Sequence, residues 1–261
     1  MLDKNIINDF IELVEKTQDE NRKPKNLVQV EFQDGLKLVY FSDLAEINVG
    51  DVVTVDGKMK GQVAEVTKVL SSFKKPKFDM QWITGVIDND VTGKYFVSKE
   101  DVVSFETRLS AEKFMNIYAG TKYVANDPVG EDDIELDLND LEKSELFEDQ
   151  GIKERGYEMY KNGYVCFISL KNGIGKAIVR SSNAHDWYEV DYRYYNGKIT
   201  YLACDCPYFE GCKHGYAVLL KLRELLKKIC KEYGTQDFTV CKKGCFNYIM
   251  LYAKGKVEIE L

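Results

Sequence analysis

The stretch that decides the fold of the second half of the chain is CDCPYFEGCKHG, residues 204–215. It holds three of the seven cysteines and one of the two histidines, namely Cys204, Cys206, Cys212 and His214. Because proline has no N–H to donate to a strand ladder, Pro207 indicates that a strand ends at the first cysteine pair. The following segment, GYAVLLKLRELLKKICK, has the apolar spacing of a helix. The stretch therefore joins the end of a strand to the start of a helix.

The four side chains of this stretch form a complete ligand set for one zinc ion. Zinc takes four tetrahedral ligands, and three cysteines with one histidine are a standard structural combination. Side chains two residues apart on a helix diverge by about 200°, so we expect Cys212 at or before the helix cap and His214 in the first turn. Since the protein fills all four positions, we expect a structural ion. The alternative is a set of packing cysteines with a chance histidine.

Alternating apolar residues before this stretch predict an antiparallel meander over residues 164–204. Asn172-Gly173 and Asn196-Gly197 separate its apolar segments, and Asn-Gly favours the type I′ turn of a hairpin. A helix is predicted over residues 150–161, where Asn162-Gly163 closes it because glycine tolerates the left-handed conformation after a helix. The C-terminal tail predicts two or three further strands.

This arrangement resembles a known zinc-finger family. C-x-C followed by C-x-H, after a β-meander and before an apolar helix, is similar to the SWIM zinc finger, and ERGYEMYKNGYV resembles the opening segment of bacterial SWIM proteins. The resemblance covers residues 150–230. It implies one structural Zn²⁺ on the four ligands and a domain that binds DNA or proteins. SWIM domains occur beside Swi/Snf-type helicases, transposases and ubiquitin-ligase components, which implies a DNA-processing machine as partner.

The N-terminal half has a different pattern. Residues 2–16 have helical apolar spacing, and from Leu27 onward short β-branched segments alternate with glycine turns. Strands at this density indicate a small, strongly bent sheet or barrel, and VxVxFxxG followed by VGDxVxVxG resembles SH3-like or OB-like barrels. A generic β-domain core is the alternative. A short helix is predicted over residues 108–119, with Ser110 as its N-cap. The predicted fold class is therefore α+β.

Charge is distributed unevenly along the chain, whose net charge is −7. Residues 126–150 contain eleven acidic residues and one lysine, whereas residues 151–233 contain fourteen Lys and Arg against nine Asp and Glu. A run this acidic is typical of a solvated linker. The sequence therefore predicts a helix plus β-barrel-like domain (1–125), an acidic linker (126–149) and a SWIM zinc-finger domain with C-terminal strands (150–261).

The basic second half predicts a surface for a polyanion. Strand alternation places Arg193 and Tyr195 on one face, and with Arg180, Lys198 and Lys213 they predict a surface for phosphate contact and base stacking. We expect DNA, or a protein of a DNA-processing machine, as the partner; a merely soluble sheet face is the alternative. We also hypothesise that the acidic segment folds back on this face and competes with nucleic acid.

The sequence places no complete catalytic constellation. His185 lies next to Asp186 without an accompanying nucleophile, and Cys230, Cys241 and Cys245 lack the fourth ligand of a second metal site. We therefore expect a non-enzymatic protein without a small-molecule substrate, and ordinary thiols at these three positions. Because the sequence shows neither an apolar run of about 18 residues nor a signal peptide, we expect a cytoplasmic protein without membrane contact.

Overall fold

The computed structural model describes residues 22–74, 76, 80–120, 129–182, 186–208 and 211–260. The chain divides into two compact units, Met1–Ile87 and Asp88–Leu261. Two mostly antiparallel sheets with few helices confirm the predicted α+β class. The predicted helix over residues 2–16 and the side chain of His185 lie outside the described residues. None of the described helices combines the length and the apolarity needed to cross a membrane.

The first unit contains five antiparallel strands. They are β1 (Asn26–Phe32), β2 (Lys37–Ser42), β3 (Val52–Val55), β4 (Val63–Leu70) and β5 (Ile83–Val86), in the order β2–β1–β4–β3–β5. Every second residue of β1 is buried, as expected where one face of a strand packs on a core. The outer strands approach only through one bridge between Phe41 and Trp82. The described strands therefore form an open sheet, and the predicted barrel is not closed.

The second unit is built on a nine-stranded sheet. Its strands are β6 (Gly93–Val97), β7 (Asp101–Thr107), β8 (Val129–Asp137), β9 (Val165–Lys171), β10 (Ile174–Arg180), β11 (Trp187–Tyr195), β12 (Lys198–Cys204), β13 (Phe238–Lys242) and β14 (Val257–Glu260). Their order is β14–β6–β7–β13–β9–β10–β11–β12–β8. The predicted meander is confirmed as β9–β12. Asn172 and Asn196 have φ values of 51° and 48°, as the predicted Asn-Gly hairpins require.

Four α-helices accompany this sheet in the described ranges. They are α1 (Ala111–Phe114), α2 (Gln150–Lys161), α3 (Lys213–Tyr233) and α4 (Lys243–Tyr252). The Lys113 N–H donates to Ser110 Oγ over 3.2 Å, which confirms the predicted cap of α1. Two of the strands predicted in the C-terminal tail are present as β13 and β14, but α4, which the sequence pattern did not predict, lies between them. Its buried residues Phe246 and Ile249 are spaced three apart, but a short apolar run by itself does not distinguish helix from strand.

The main core lies between the meander and α3. Ile168, Ala177 and Val190 of the sheet and Leu219 and Leu222 of the helix are at most 1% exposed. The other face of the sheet is also covered, since the ring centroid of Phe114, the last residue of α1, lies 5.4 Å from that of Phe167. Burial on both faces explains why the central strands are almost continuously apolar.

The predicted domain boundaries differ from those of the structure. Residues 93–107 were assigned to the N-terminal domain, but β7 pairs with β13 and so belongs to the large sheet. The predicted linker, residues 126–149, contributes β8 at the edge of this sheet, where it pairs with β12. Leu141 and Phe147 that follow are fully buried. The acidic composition reflects the exposed side of the segment, while its apolar residues anchor it in the core.

Candidate metal centre

The four predicted ligands meet where β12 ends and α3 begins. Cys204 is the last residue of β12, and Cys212 is the N-cap of α3 with an extended backbone. His214 lies in the first turn of that helix, as predicted. All four side chains are buried, with Cys204, Cys206, Cys212 and His214 between 2% and 7% exposed. The strand break and the helix start therefore place all four ligands in one buried pocket.

The distances within this cluster fit a single metal ion. His214 Nδ1 lies 3.8 Å from Cys204 Sγ and 3.9 Å from Cys212 Sγ. All four ligand atoms lie within 4.8 Å of one another. A tetrahedral ion with bonds of about 2.0 Å to nitrogen and 2.3 Å to sulfur holds such atoms roughly 3.6–3.8 Å apart. The four side chains could therefore bind one metal ion with little rearrangement.

The electrostatics of the cluster also favour a cation. Hydrogen bonds from the Cys204 and Cys206 thiols lower the pKa of Cys212 to about 3 despite its burial, and the Gly215 N–H donates to Cys212 Sγ over 3.3 Å. Hydrogen bonds with the Cys206 and Cys212 sulfurs, together with burial, raise the pKa of Cys204. Three sulfurs this close cannot all be thiolates without a compensating charge. A bound cation would supply that charge and release the remaining thiol protons.

The imidazole of His214 is held by an aromatic neighbour. The ring of Tyr188, in β11, stacks on it with centroids 4.2 Å apart and planes inclined by 26°. His214 Nε2 is buried without a hydrogen-bond partner, so Nδ1 is the nitrogen that faces the sulfurs. Alternation along β11 places Tyr188 on the same face as Val190 and Tyr192 but gives no reason to connect it with His214. The contact arises because β11 pairs with β12 directly beside Cys204.

Two glycines allow the backbone to close around the cluster. Gly211 has φ +51°, and a Cβ there would lie 1.9 Å from the carbonyl oxygen of Leu146. A Cβ on Gly156, in α2, would lie 2.8 Å from the carbonyl oxygen of Lys213. The acidic segment and α2 therefore both pack directly against the C-x-H turn. In the sequence, Gly156 is only one residue of the segment ERGYEMYKNGYV. The structure shows why a glycine is needed there, since a side chain would collide with the backbone of Lys213.

The five residues predicted to contact nucleic acid do not form one surface. Arg193, Tyr195 and Lys198 lie together at the β11–β12 hairpin. Arg180 ends β10 opposite Trp187, and Lys213 begins α3 beside the metal cluster. Arg180 lies six positions along β10 from Ile174, and Ile174 pairs with Arg193. Because a strand rises about 3.3 Å per residue, Arg180 lies roughly 20 Å from Arg193. Lys198 Nζ is also paired with Glu135 Oε2 of the acidic segment at 2.9 Å.

The other cysteines form no comparable cluster. Within the described ranges, Cys230, Cys241 and Cys245 belong to no group of three or more potential metal ligands. Cys241 is fully buried, and burial raises the pKa of its thiol. The neighbouring Cys245 thiol and burial likewise raise the pKa of Cys166. Hydrogen bonds from the Cys166 thiol and the Tyr118 hydroxyl instead lower the pKa of Cys245. Protonated thiols are therefore favoured at Cys166 and Cys241, and not at Cys245.

Comparison with protein-family models, curated proteins and solved structures gives no match for this chain.

Proposed function

We propose that this protein is a zinc-stabilised, non-enzymatic binding module of the SWIM type, and that its partner is nucleic acid, in the first place DNA. The observation that carries the proposal is the buried cluster of Cys204, Cys206, Cys212 and His214. Thiolate and imidazole ligands in a tetrahedral arrangement suit Zn²⁺ better than Mg²⁺ or Ca²⁺, which prefer oxygen. Because four protein ligands complete the coordination, the ion would contribute folding energy rather than a reactive water.

Metal analysis tests the zinc proposal. Native mass spectrometry of the purified chain should show one Zn²⁺ per molecule, and a strong chelator should remove it with loss of tertiary structure in the second unit. Cys204→Ser should lose the ion and lower the melting temperature. The matched control is Cys230→Ser, which changes a half-buried cysteine outside the cluster. This variant should keep the metal ion and the melting temperature of the parent. A Cys204→Ser protein that remains fully folded without metal would disprove the structural role.

The β11–β12 hairpin is the surface that best supports nucleic-acid binding. Tyr195 is 69% exposed, and the Arg193 guanidinium lies 4.9 Å from the centre of the Tyr201 ring. Aromatic and guanidinium planes stack on bases, while cations contact phosphates. Burial and the nearby Cys230 thiol raise the pKa of Tyr194, so the C-terminal end of α3 lies near the hairpin. That end carries three further exposed lysines, Lys227, Lys228 and Lys231.

Salt dependence tests this surface. The affinity for a short DNA duplex or single strand, measured by fluorescence anisotropy, should fall steeply as salt rises because counterions are released. Arg193→Glu combined with Tyr195→Ala should weaken binding by roughly tenfold or more. Lys256→Glu, at a side chain that is 83% exposed and outside the hairpin, is the charge-matched control. Absence of binding at low salt would contradict the proposal.

The first unit supports a related but separate proposal. We infer that its five-stranded sheet is related to SH3-like or OB-like folds. The support is the number of strands, their antiparallel order and the bridge from Phe41 to Trp82, which brings the two outer strands together. Folds of this kind often bind oligonucleotides on one sheet face.

Protein binding is the second candidate function, and the edge of the large sheet favours it. Among the described strands, β8 pairs only with β12, so its other edge is free to accept a strand from a partner. A partner in a DNA-processing machine would fit both this edge and the SWIM resemblance. Cross-linking in the native cell, with contacts concentrated on residues 129–137 and no salt-sensitive DNA binding, would favour this function over the first.

A further inference from the structure

A cavity of about 880 Å³ opens in the second unit between the end of α2, the middle of α3 and the start of α4. Its lining includes two carboxylates, Glu100 and Glu224, and five lysines. The lysines are Lys99, Lys161, Lys221, Lys242 and Lys243, and we call the cavity the lysine pocket. An excess of one charge on a concave wall concentrates the electrostatic potential and attracts ions of the opposite sign.

Two of these lysines form ion pairs with Asp101, which does not itself line the pocket. Lys221 is only 6% exposed, and its Nζ lies 2.8 Å from Asp101 Oδ2. Lys242 Nζ lies 3.0 Å from Asp101 Oδ1. A lysine this deeply buried requires a charged partner because desolvation of the ammonium is costly. Asp101 therefore holds both ammonium groups at the pocket in defined positions.

The other three lysines leave the pocket positively charged. Lys99, Lys161 and Lys243 are exposed, and no carboxylate of the described residues lies within ion-pair distance of them. Even when Asp101 is counted with Glu100 and Glu224, five positive charges face three negative ones. The surplus of two matches the charge of a phosphate monoester dianion.

The start of α4 adds backbone donors to the same wall. Lys242 is its N-cap and provides no side-chain cap, and the first turn contains no acidic residue. Lysines at the positive end of a helix are unfavourable unless an anion compensates them. The Lys243 N–H already donates to the Glu100 carbonyl over 2.9 Å, whereas the next residue, Gly244, is exposed and a Cβ there would meet no atom within 4 Å. A ligand can therefore approach the first turn at Gly244. Helix N-termini of this kind bind phosphate.

We propose that the lysine pocket binds the phosphate group of a small phosphorylated compound. Lys161 and Lys243 would contact the phosphate oxygens, the α4 N-terminus would donate backbone N–H groups, and Lys221 and Lys242 would supply fixed charge. A volume within the range of about 300–1,000 Å³ that is common for ligand sites leaves space for more than the phosphate itself. No residue of the pocket belongs to the metal cluster or the β11–β12 hairpin, so the proposal does not depend on the proposed function.

The test uses the amide signal of Gly244 in NMR spectra of the full chain. Inorganic phosphate and pyrophosphate are titrated at constant ionic strength against chloride. We expect phosphate to shift the Gly244 amide where chloride does not, with pyrophosphate binding more tightly. Lys243→Glu and Lys161→Glu should each weaken binding roughly tenfold, the effect of one charge-assisted hydrogen bond. Lys256→Glu, at a side chain that is 83% exposed and outside the pocket, should bind like the parent.

Two results would overturn this assignment. Equal shifts in phosphate and chloride, or equal affinities of Lys243→Glu and Lys256→Glu, would mean that no phosphate site exists. An unphosphorylated single-stranded oligonucleotide is the third probe. If it shifts Gly244 and competes more strongly than pyrophosphate, the pocket receives backbone phosphates of nucleic acid and the proposal of a small ligand fails. Since the variants change exposed side chains, circular dichroism should show unchanged folding.

Discussion

The ring of Tyr188 stacks on the imidazole of His214, with centroids 4.2 Å apart. The stacked ring restricts the orientation of the imidazole, and neighbours that orient a metal ligand commonly affect metal affinity. Tyr188→Ala should therefore weaken metal binding by about tenfold, whereas Tyr188→Phe, which keeps the ring, should bind metal like the parent. Competition with a coloured zinc chelator measures both. Equal loss in the two variants would show that the hydroxyl, and not the stacked ring, matters.

Gly211 provides a steric test of the metal loop. Its φ of +51° and the Leu146 carbonyl 1.9 Å from the position of a Cβ leave no space for a side chain. Gly211→Ala should displace the loop, lower the melting temperature and weaken metal binding. The control is Gly234→Ala at the end of α3, where φ is +67° but nothing lies within 4 Å, so its cost should be only about 1 kcal/mol. A similar loss of stability in both variants would contradict the close contact between Gly211 and the Leu146 carbonyl.

Leu141 tests whether the acidic segment is part of the folded core. It is fully buried, so Leu141→Ala should destabilise the second unit by about 2–5 kcal/mol in urea unfolding. Leu251→Ala, at a leucine that is 59% exposed, is the control and should cost far less. For the same reason, deletion of residues 126–148 should unfold the second unit, rather than only releasing a competitor of nucleic acid. A deletion variant that stays folded and gains DNA affinity would support the original linker hypothesis.

Asp101 predicts how stability changes in acid. Burial by itself would raise the pKa of Asp101, but attraction to Lys221 and hydrogen bonds from Lys221 and Lys242 hold it below the ordinary value of 3.8. The unfolded state therefore binds more protons, so this contribution to stability is present above pH 3.8 and is lost as the pH falls below it.

Removing this carboxylate leaves Lys221 buried without its main partner. Asp101→Asn should cost about 3–5 kcal/mol at neutral pH and flatten the loss of stability in acid. Urea unfolding between neutral pH and pH 3 measures both effects, with the exposed Glu148→Gln as control. An acid response as steep in Asp101→Asn as in the parent would show that other carboxylates cause it.

Local signals in the sequence predicted local structure well. Asn-Gly pairs fixed the hairpins of the meander, and Ser110 capped α1, because these effects act within a few residues. Apolar spacing predicted α3, and Asn162-Gly163 predicted the end of α2. The same spacing was ambiguous for α4, since ten residues with several apolar positions suit a strand as well as a helix.

The four candidate metal ligands can be identified from the sequence itself. Cys204, Cys206, Cys212 and His214 are close along the chain, so a strand end and a helix start suffice to bring them together. Tertiary structure alone decided which distant residues support them: Tyr188 on the imidazole, and Leu146 against Gly211. It also decided that the acidic segment is an edge strand and that lysines from four separate elements share one pocket. Such contacts depend on the pairing order of the strands, which local composition and spacing do not specify.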